Sequence, residues 1–244
     1  MQLRTAANSP LIAASTPPQT RIYAVGDIHG RADLLSETIA HIEDDLLRRP
    51  IAHAVEIYLG DYIDRGPDSK AVIDILAAHM VRNQVVCLRG NHEDLMERFL
   101  LDPDALHSWL ELGGMPTLAS YGVRSQSNTT SAHDLHRQFR RTFPRTHALF
   151  LKCLLPWICC GDYLFVHAGI RPMVPLDRQI IPDLLWIRDD FLNSQRGHGK
   201  LIVHGHTPVP HPDVRHNRIN IDTGAWHSGR LTCLMLEGAS IQFL

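Results

Sequence analysis

The chain has 244 residues, 44% hydrophobic and 20% charged, with 24 basic against 26 acidic side chains. At about 100–200 residues per domain this is one large domain or two small ones, and burial of about 70–75% of the unfolded surface makes a disulfide or metal staple unnecessary for folding. A formal charge of −2 provides no basic field for nucleic acid, and the composition excludes disorder, collagen and coiled coil as global descriptions.

Residues 1–20 (MQLRTAANSPLIAASTPPQT) hold one Arg and a short apolar patch. A secretory core needs roughly 7–15 apolar residues, so this segment reads as a disordered tail ahead of a single domain over 21–244. Apolar runs elsewhere fall far short of the roughly 20 residues of a membrane helix. RIYAVGD (21–27) is a predicted strand, 31–48 an amphipathic helix closed by Pro50, and AVEIYLGD (54–61) a buried strand. A helix over 69–81, a strand over 84–91 and a helix over 92–101 follow, and this alternation implies α/β organisation with a largely parallel sheet. Residues 102–152 change character, with helical pieces broken by LGGMPTLASYG and RSQSNTTS, and read as a helical insertion capping one face and forming part of a substrate wall. PWICCGDYLFVHAG (156–169) is a predicted hairpin turning at Gly161-Asp162, and strands follow over 199–207, 218–226 and 230–236. Two packed mixed sheets flanked by helices accommodate this order. The five cysteines include no CxxC pair; the four in β-like runs, Cys87, Cys159, Cys160 and Cys233, read as buried thiols, and a reducing compartment, the cytoplasm, fits.

Sixteen histidines direct attention to the strand ends. The first strand runs into GDIHG, with Asp27 and His29. The second runs into GDYIDRG, with Asp61, Asp64 and Arg65, and the third into RGNHE, with Arg89, Asn91, His92 and Glu93. VHAG (His167) and VHGHTP (His204, His206) follow. Ligands converge at the carboxyl ends of strands in α/β sheets, and Asp, Asp, Arg and two glycines after a buried strand have little structural purpose. Carboxylate, imidazole and amide oxygen suit Mn²⁺, Fe or Zn²⁺, and two ions about 3.5–4 Å apart can clamp an in-line phosphoryl displacement. Strand alternation would set His204 and His206 on one face.

In this order GDIHG, GDYIDRG, RGNHE, VHAG and GHTP resemble the phosphoprotein phosphatase family of calcineurin-like metallophosphoesterases, over residues 21 to about 236. IDTGA after GHTP is similar to the bacterial and bacteriophage branch. The resemblance implies a four-layer sandwich and two divalent metal ions, Mn²⁺ first. Asp27, His29 and bridging Asp61 would hold one ion, and Asp61, Asn91, His167 and His206 the other. It implies direct attack by a metal-bridging hydroxide, His92 as general acid oriented by Asp64, and phosphate binding by Arg65, Arg89 and Arg188, with Arg196 as the rival for the third place. His204 is then structural. From the residues themselves Glu93 caps its helix, and Trp109, Trp157, Trp186 and Trp226 read as core or pocket-wall residues before nucleobase platforms, although Trp226 after IDTGA could line the site. The implied reaction is phosphomonoester hydrolysis, first of phosphoserine and phosphothreonine in a phosphoprotein. The alternative is hydrolysis of diadenosine polyphosphates or other small phosphoesters and anhydrides. Retention of Asp64 favours monoesters over dinucleotides. Neither a nucleic-acid nor a membrane partner is expected.

Overall fold

The computed structural model describes residues 14–124 and 130–244. The expected tail over 1–13 and part of RSQSNTTS lie outside the described residues. The packed chain begins before residue 21: Ala14, Thr16 and Thr20 are buried, and the Thr16 amide donates to the Gly238 carbonyl (3.0 Å).

In chain order the first half runs β1 (Thr20–Val25), α1 (Ala32–Arg48), β2 (His53–Tyr58), α2 (Ser69–Arg82), β3 (Val85–Cys87) and α3 (Asn91–Leu101). The insertion supplies α4 (Leu106–Glu111), α5 (Met115–Ser120), α6 (Ala132–Thr142) and α7 (Arg145–Cys153). The second half continues with β4 (Trp157–Cys160), β5 (Tyr163–Val166), α8 (Ile181–Trp186), α9 (Asp189–Leu192), β6 (Leu201–His204), β7 (Asp213–Val214) and β8 (Arg218–Asn220). It closes with α10 (Ala225–Ser228), β9 (Cys233–Glu237) and β10 (Ser240–Phe243). The first sheet has the order β10-β9-β1-β2-β3 and the second β4-β5-β6-β8-β7. Within them β1-β2-β3 and β5-β6-β8 are parallel, while β9, β10, β4 and β7 pair antiparallel.

Period-two alternation divides each central strand between two cores. Ile22, Ala24, Ile57, Leu234 and Leu236 of the first sheet meet Tyr163, Phe165, Leu201, Val203 and Ile219 of the second, forming the layer between the sheets. The opposite faces hold Tyr23, Val25, Tyr58 and Met235 against Leu35, Ile42, Val72, Leu76 and Phe99 of the helices. Leu164, Val166 and Ile202 pack on Leu184, Ile187 and Phe191. Helix, sheet, sheet and helix give the expected four layers. Each buried Leu, Ile, Val or Phe contributes about 1.5–3 kcal/mol, so both sheets are anchored on both faces. The carboxyl ends of the parallel strands are thereby held at one edge.

The insertion joins the outer helical layer beside α2 and α3, and its α7 runs straight back to the second sheet. Among the described residues no helix is long and apolar enough to cross a membrane. All five cysteines are free, but burial holds only for Cys87 and Cys233; Cys153 and Cys159 are exposed and Cys160 is intermediate. Cys153 ends a surface helix, and β4, with Cys159 and Cys160, is an edge strand with neither face fully covered.

Candidate functional site

Each parallel strand ends in a loop that turns immediately. Among the described residues seven non-glycine residues have positive φ, and five of them are here: His29 (46°), Asp61 (51°), Asp64 (72°), Arg65 (66°) and His206 (66°). Left-handed backbone at such residues costs on the order of 1–3 kcal/mol each and persists only where neighbours over-determine it. The neighbours are visible. The Ile28 and His29 amides both donate to the Asp61 carbonyl (3.1 and 2.8 Å). Buried Glu93 accepts from the amides of Gly90, Asp61 and Tyr62 (3.0, 3.0 and 2.8 Å), capping α3 and pinning the neighbouring loop with one carboxylate. Burial and the charge of Asp61 push the Glu93 carboxyl up to about 7. A Cβ at Gly90 would fall on Asp61 Oδ1, and one at Gly205 on Asp27 Oδ1, so both positions require glycine.

Asp61 stands at the centre. Its Oδ2 is 3.6 Å from His29 Nε2 and 3.7 Å from His92 Nε2, and its Oδ1 is 3.4 Å from His167 Nε2. Burial alone would raise its pKa, but His167, His92, His29 and His206 outweigh it and hold the carboxyl well below the usual range. Burial pushes His29 down to about 3 and also lowers His167 and His206, the neutral state that ligation requires. His29 Nδ1 is tied to the Ile63 carbonyl (2.8 Å) and His167 Nδ1 to that of Leu59 (3.0 Å), which turns each Nε2 inward. Asn91 Oδ1 lies 2.9 Å from His167 Nε2 and 3.0 Å from His206 Nδ1. Asp27 takes the His206 amide on Oδ2 (3.1 Å) and leaves Oδ1 buried without a partner. Its pKa is raised well above normal by burial and by the charges of Asp222 and Asp61.

Two groups therefore have metal-holding geometry, His29/Asp61/His92 and Asp61/His167/His206, each with its donor atoms within 4.8 Å of one another. Asp61 belongs to both. The orphaned Asp27 Oδ1 and His206 Nε2 are the buried polar atoms expected where a cation satisfies what the protein does not. The oxygen and nitrogen donor set fits divalent ions.

His92 Nδ1 is 2.7 Å from Asp64 Oδ2, and both residues are buried. Burial lowers the His92 pKa, but Asp61 and the Asp64 bond more than reverse it, leaving it above normal. Arg65 Nη2 approaches His92 Nε2 at 3.3 Å. A guanidinium only donates, so in this arrangement Nε2 accepts and the ring proton faces Asp64. Asp64 is further held by Trp109 Nε1 (2.8 Å) and Thr117 Oγ1 (2.6 Å). Both come from the insertion, whose part in the site is to brace this carboxylate.

The charge of Arg65 acts on Asp27 and His29, and that of Arg188 on His167, His206 and Asp222. The Arg89 guanidinium takes another course, donating to Glu97 and to the Leu151 carbonyl (3.0 Å) in the last turn of α7. A helix carboxyl end and a nearby carboxylate are a favourable seat for a cation. Arg196 lines a separate cavity with Met173, Pro175 and His198. The strand alternation expected of His204 and His206 stops at His204. There β6 ends, and the left-handed turn at His206 carries its ring to Asn91, while His204 packs on Phe191 (5.1 Å). Asp222 was missed as a site residue. It is buried beyond the end of β8, and burial with the charge of Asp61 pushes it up to about 6 against the Gly224 amide. The expected strand over 218–226 ran through it, whereas β8 ends at Asn220 and Asp222 lies two residues beyond, as Asp27 lies two residues beyond β1.

The fold and the paired buried clusters define a metallophosphoesterase. The calcineurin-like phosphoesterase family model matches residues 20–234, and the chain belongs to that family. It is 30% identical over 234 residues to an asymmetrical bis(5'-nucleosyl)-tetraphosphatase of Anoxybacillus flavithermus, covering 86% of this chain and 88% of that protein. The namesake of Geobacillus thermodenitrificans is 30% identical over 233 residues, covering 87% and 89%. Among solved structures, one provisionally described as a diadenosine tetraphosphatase aligns at TM-score 0.61 and 19% identity, covering 95% and 97%. A cold-active protein-tyrosine phosphatase of a psychrophilic Shewanella aligns at 0.52 and 16%, covering 95% and 84%. Both share the fold.

Proposed function

We propose that the chain hydrolyses bis(5'-nucleosyl) tetraphosphates off-centre, releasing a nucleoside triphosphate and a nucleoside monophosphate. The observation that carries this reading is the similarity to asymmetrical tetraphosphatases across 86–87% of the chain. It reverses the order suggested by Asp64, which placed monoesters first.

In this reading Asp27, His29, Asp61, Asn91, His167 and His206 hold two divalent ions, and Mn²⁺ suits a donor set without thiolate. When bound, such ions polarise phosphoryl oxygens and lower the pKa of water. Arg65 and Arg188 bind phosphate oxygens; the guanidinium fork suits them better than an ammonium would. As Arg65 turns to the phosphate it vacates His92 Nε2. His92 can then carry a proton there and deliver it to the oxygen leaving phosphorus, while Asp64 keeps hold of Nδ1–H. Trp109 and Thr117 keep Asp64 in place. The five free thiols fit a cytoplasmic setting.

A second reading, hydrolysis of phosphomonoesters including phosphoserine and phosphothreonine, is favoured by the Asp64–His92 pair. An alkoxide needs the proton that such a pair supplies, whereas a departing phosphate is a much weaker base. Purified Mn²⁺-loaded protein should be offered a dinucleoside tetraphosphate and a phosphoserine peptide at matched concentrations. We expect equimolar tri- and monophosphates, with kcat/KM for the dinucleotide higher by about tenfold or more. Two nucleoside diphosphates, or a preference for the peptide, would reverse the assignment.

A further inference from the structure

Trp226 is a large exposed indole beside a buried polar centre. It lies in α10, a single turn between Gly224 (φ 66°) and Gly229 (φ 69°), directly after the Asp222–Thr223 loop that enters the site from β8. The turn is fixed: the Gly224 amide donates to Asp222 Oδ1 (2.9 Å), and a Cβ at Gly224 would collide with the His227 ring. The residue is 42% exposed, although burying so large an apolar side chain is favourable. Its ring lies 5.8 Å from the Arg65 guanidinium carbon, and Arg65 Nη2 lies 3.3 Å from His92 Nε2. The His227 ring meets the indole edge-on (5.0 Å), and one guanidinium separates this partly exposed aromatic surface from the proton-donating nitrogen.

We infer that Trp226 is the stacking platform for a nucleobase, that of the leaving-group half of a dinucleoside polyphosphate. The inference rests on the tetraphosphatase reading and specifies how that substrate is selected. A general acid stands on the leaving-group side of phosphorus, so the departing nucleotide extends past His92 and Arg65, where Trp226 lies. Arg65 meets the phosphates and the indole meets the base. Stacking tolerates any base because every base has a π-face, so purines of either kind should serve, with their larger surface favouring them over pyrimidines. Trp186 is also partly exposed, but its ring stands edge-on to His206 (6.2 Å), so a change there disturbs a metal-site residue. Trp109 is fully buried on Asp64.

The test compares kcat and KM of Trp226→Ala, Trp226→Phe and Trp186→Ala with the parent, all Mn²⁺-loaded, on diadenosine tetraphosphate and on p-nitrophenyl phosphate, which has no nucleobase. For Trp226→Ala, kcat/KM on the dinucleotide should fall by about 10–100-fold more than on p-nitrophenyl phosphate, chiefly through KM, and Phe should restore most of the difference. Equal losses on both substrates would overturn the inference and reduce Trp226 to a support for Arg65. A dinucleotide-selective loss in Trp186→Ala but not in Trp226→Ala would transfer the role to Trp186. If the parent does not cleave the dinucleotide, the tetraphosphatase reading itself fails and the platform with it; parent cleavage with an unselective Trp226→Ala loss overturns the platform alone.

Discussion

Replacing Asp61 by Asn is expected to remove most bound metal and to lower turnover by about 10³-fold or more, the largest effect of any single substitution. Its carboxylate alone belongs to both groups with metal-holding geometry, and four imidazoles hold it ionised. Asparagine keeps the shape and one oxygen but removes the charge that would offset two cations at a buried position. Replacing one outlying residue, such as His206→Asn, leaves Asp61 with His29 and should spare part of the metal. Elemental analysis and turnover measured on the same samples check this. An Asp61→Asn protein that retains two ions and near-normal turnover would show that Asp61 is not the bridge.

The second large effect concerns His92. Its Nδ1 is committed to Asp64, while its Nε2 belongs to the same 4.8 Å group as His29 and Asp61, so geometry alone permits both an acid and a ligand. As an acid, His92→Asn should keep both ions while turnover of alkyl phosphoesters falls by roughly 10²–10⁴. The loss should be smaller for p-nitrophenyl phosphate, whose leaving group needs little protonation. Asp64→Asn should have a milder effect, because Trp109 and Thr117 still brace the amide and the imidazole remains. The double variant should lose much less than the product of the single losses, since the two residues act as one unit. Loss of a metal in His92→Asn, or equal slowing of good and poor leaving groups, would reassign His92 as a ligand or a phosphate-positioning group.

The two packed sheets flanked by helices and the loops carrying Asp27, His29, Asp61, Asn91, His167 and His206 were legible because both signals are local. Alternation of apolar residues marks the strands, and glycine-punctuated Asp/His loops mark where they end. Less legible were the features that distant contacts or backbone handedness decide. Arg89 lies in a motif beside Asn91, yet Glu97 and the end of α7 capture its guanidinium, which adjacency in sequence does not reveal. Only the shared face expected of His204 and His206 fails, because the chain leaves β geometry at Gly205. Trp109 and Thr117 reach Asp64 from 45 and 53 residues away, inside a segment legible only as helical insertion. Glu93 was legible as a helix cap. That the same carboxylate also secures the left-handed turn at Asp61 depends on β2 and β3 being neighbours. Substrate choice was the least legible: the presence of Asp64 argued for monoesters, while the relatives aligned over 86–87% of the chain are named as bis(5'-nucleosyl)-tetraphosphatases.

The dinuclear centre is tested most directly by counting metal in the parent protein, stripped with chelator and reconstituted with Mn²⁺, while turnover is followed on the same samples. The expected result is two ions per chain at saturation, with activity abolished on stripping and restored as the pair is refilled. Full turnover in protein verified to be metal-free, or saturation of activity at a single ion per chain, would contradict it.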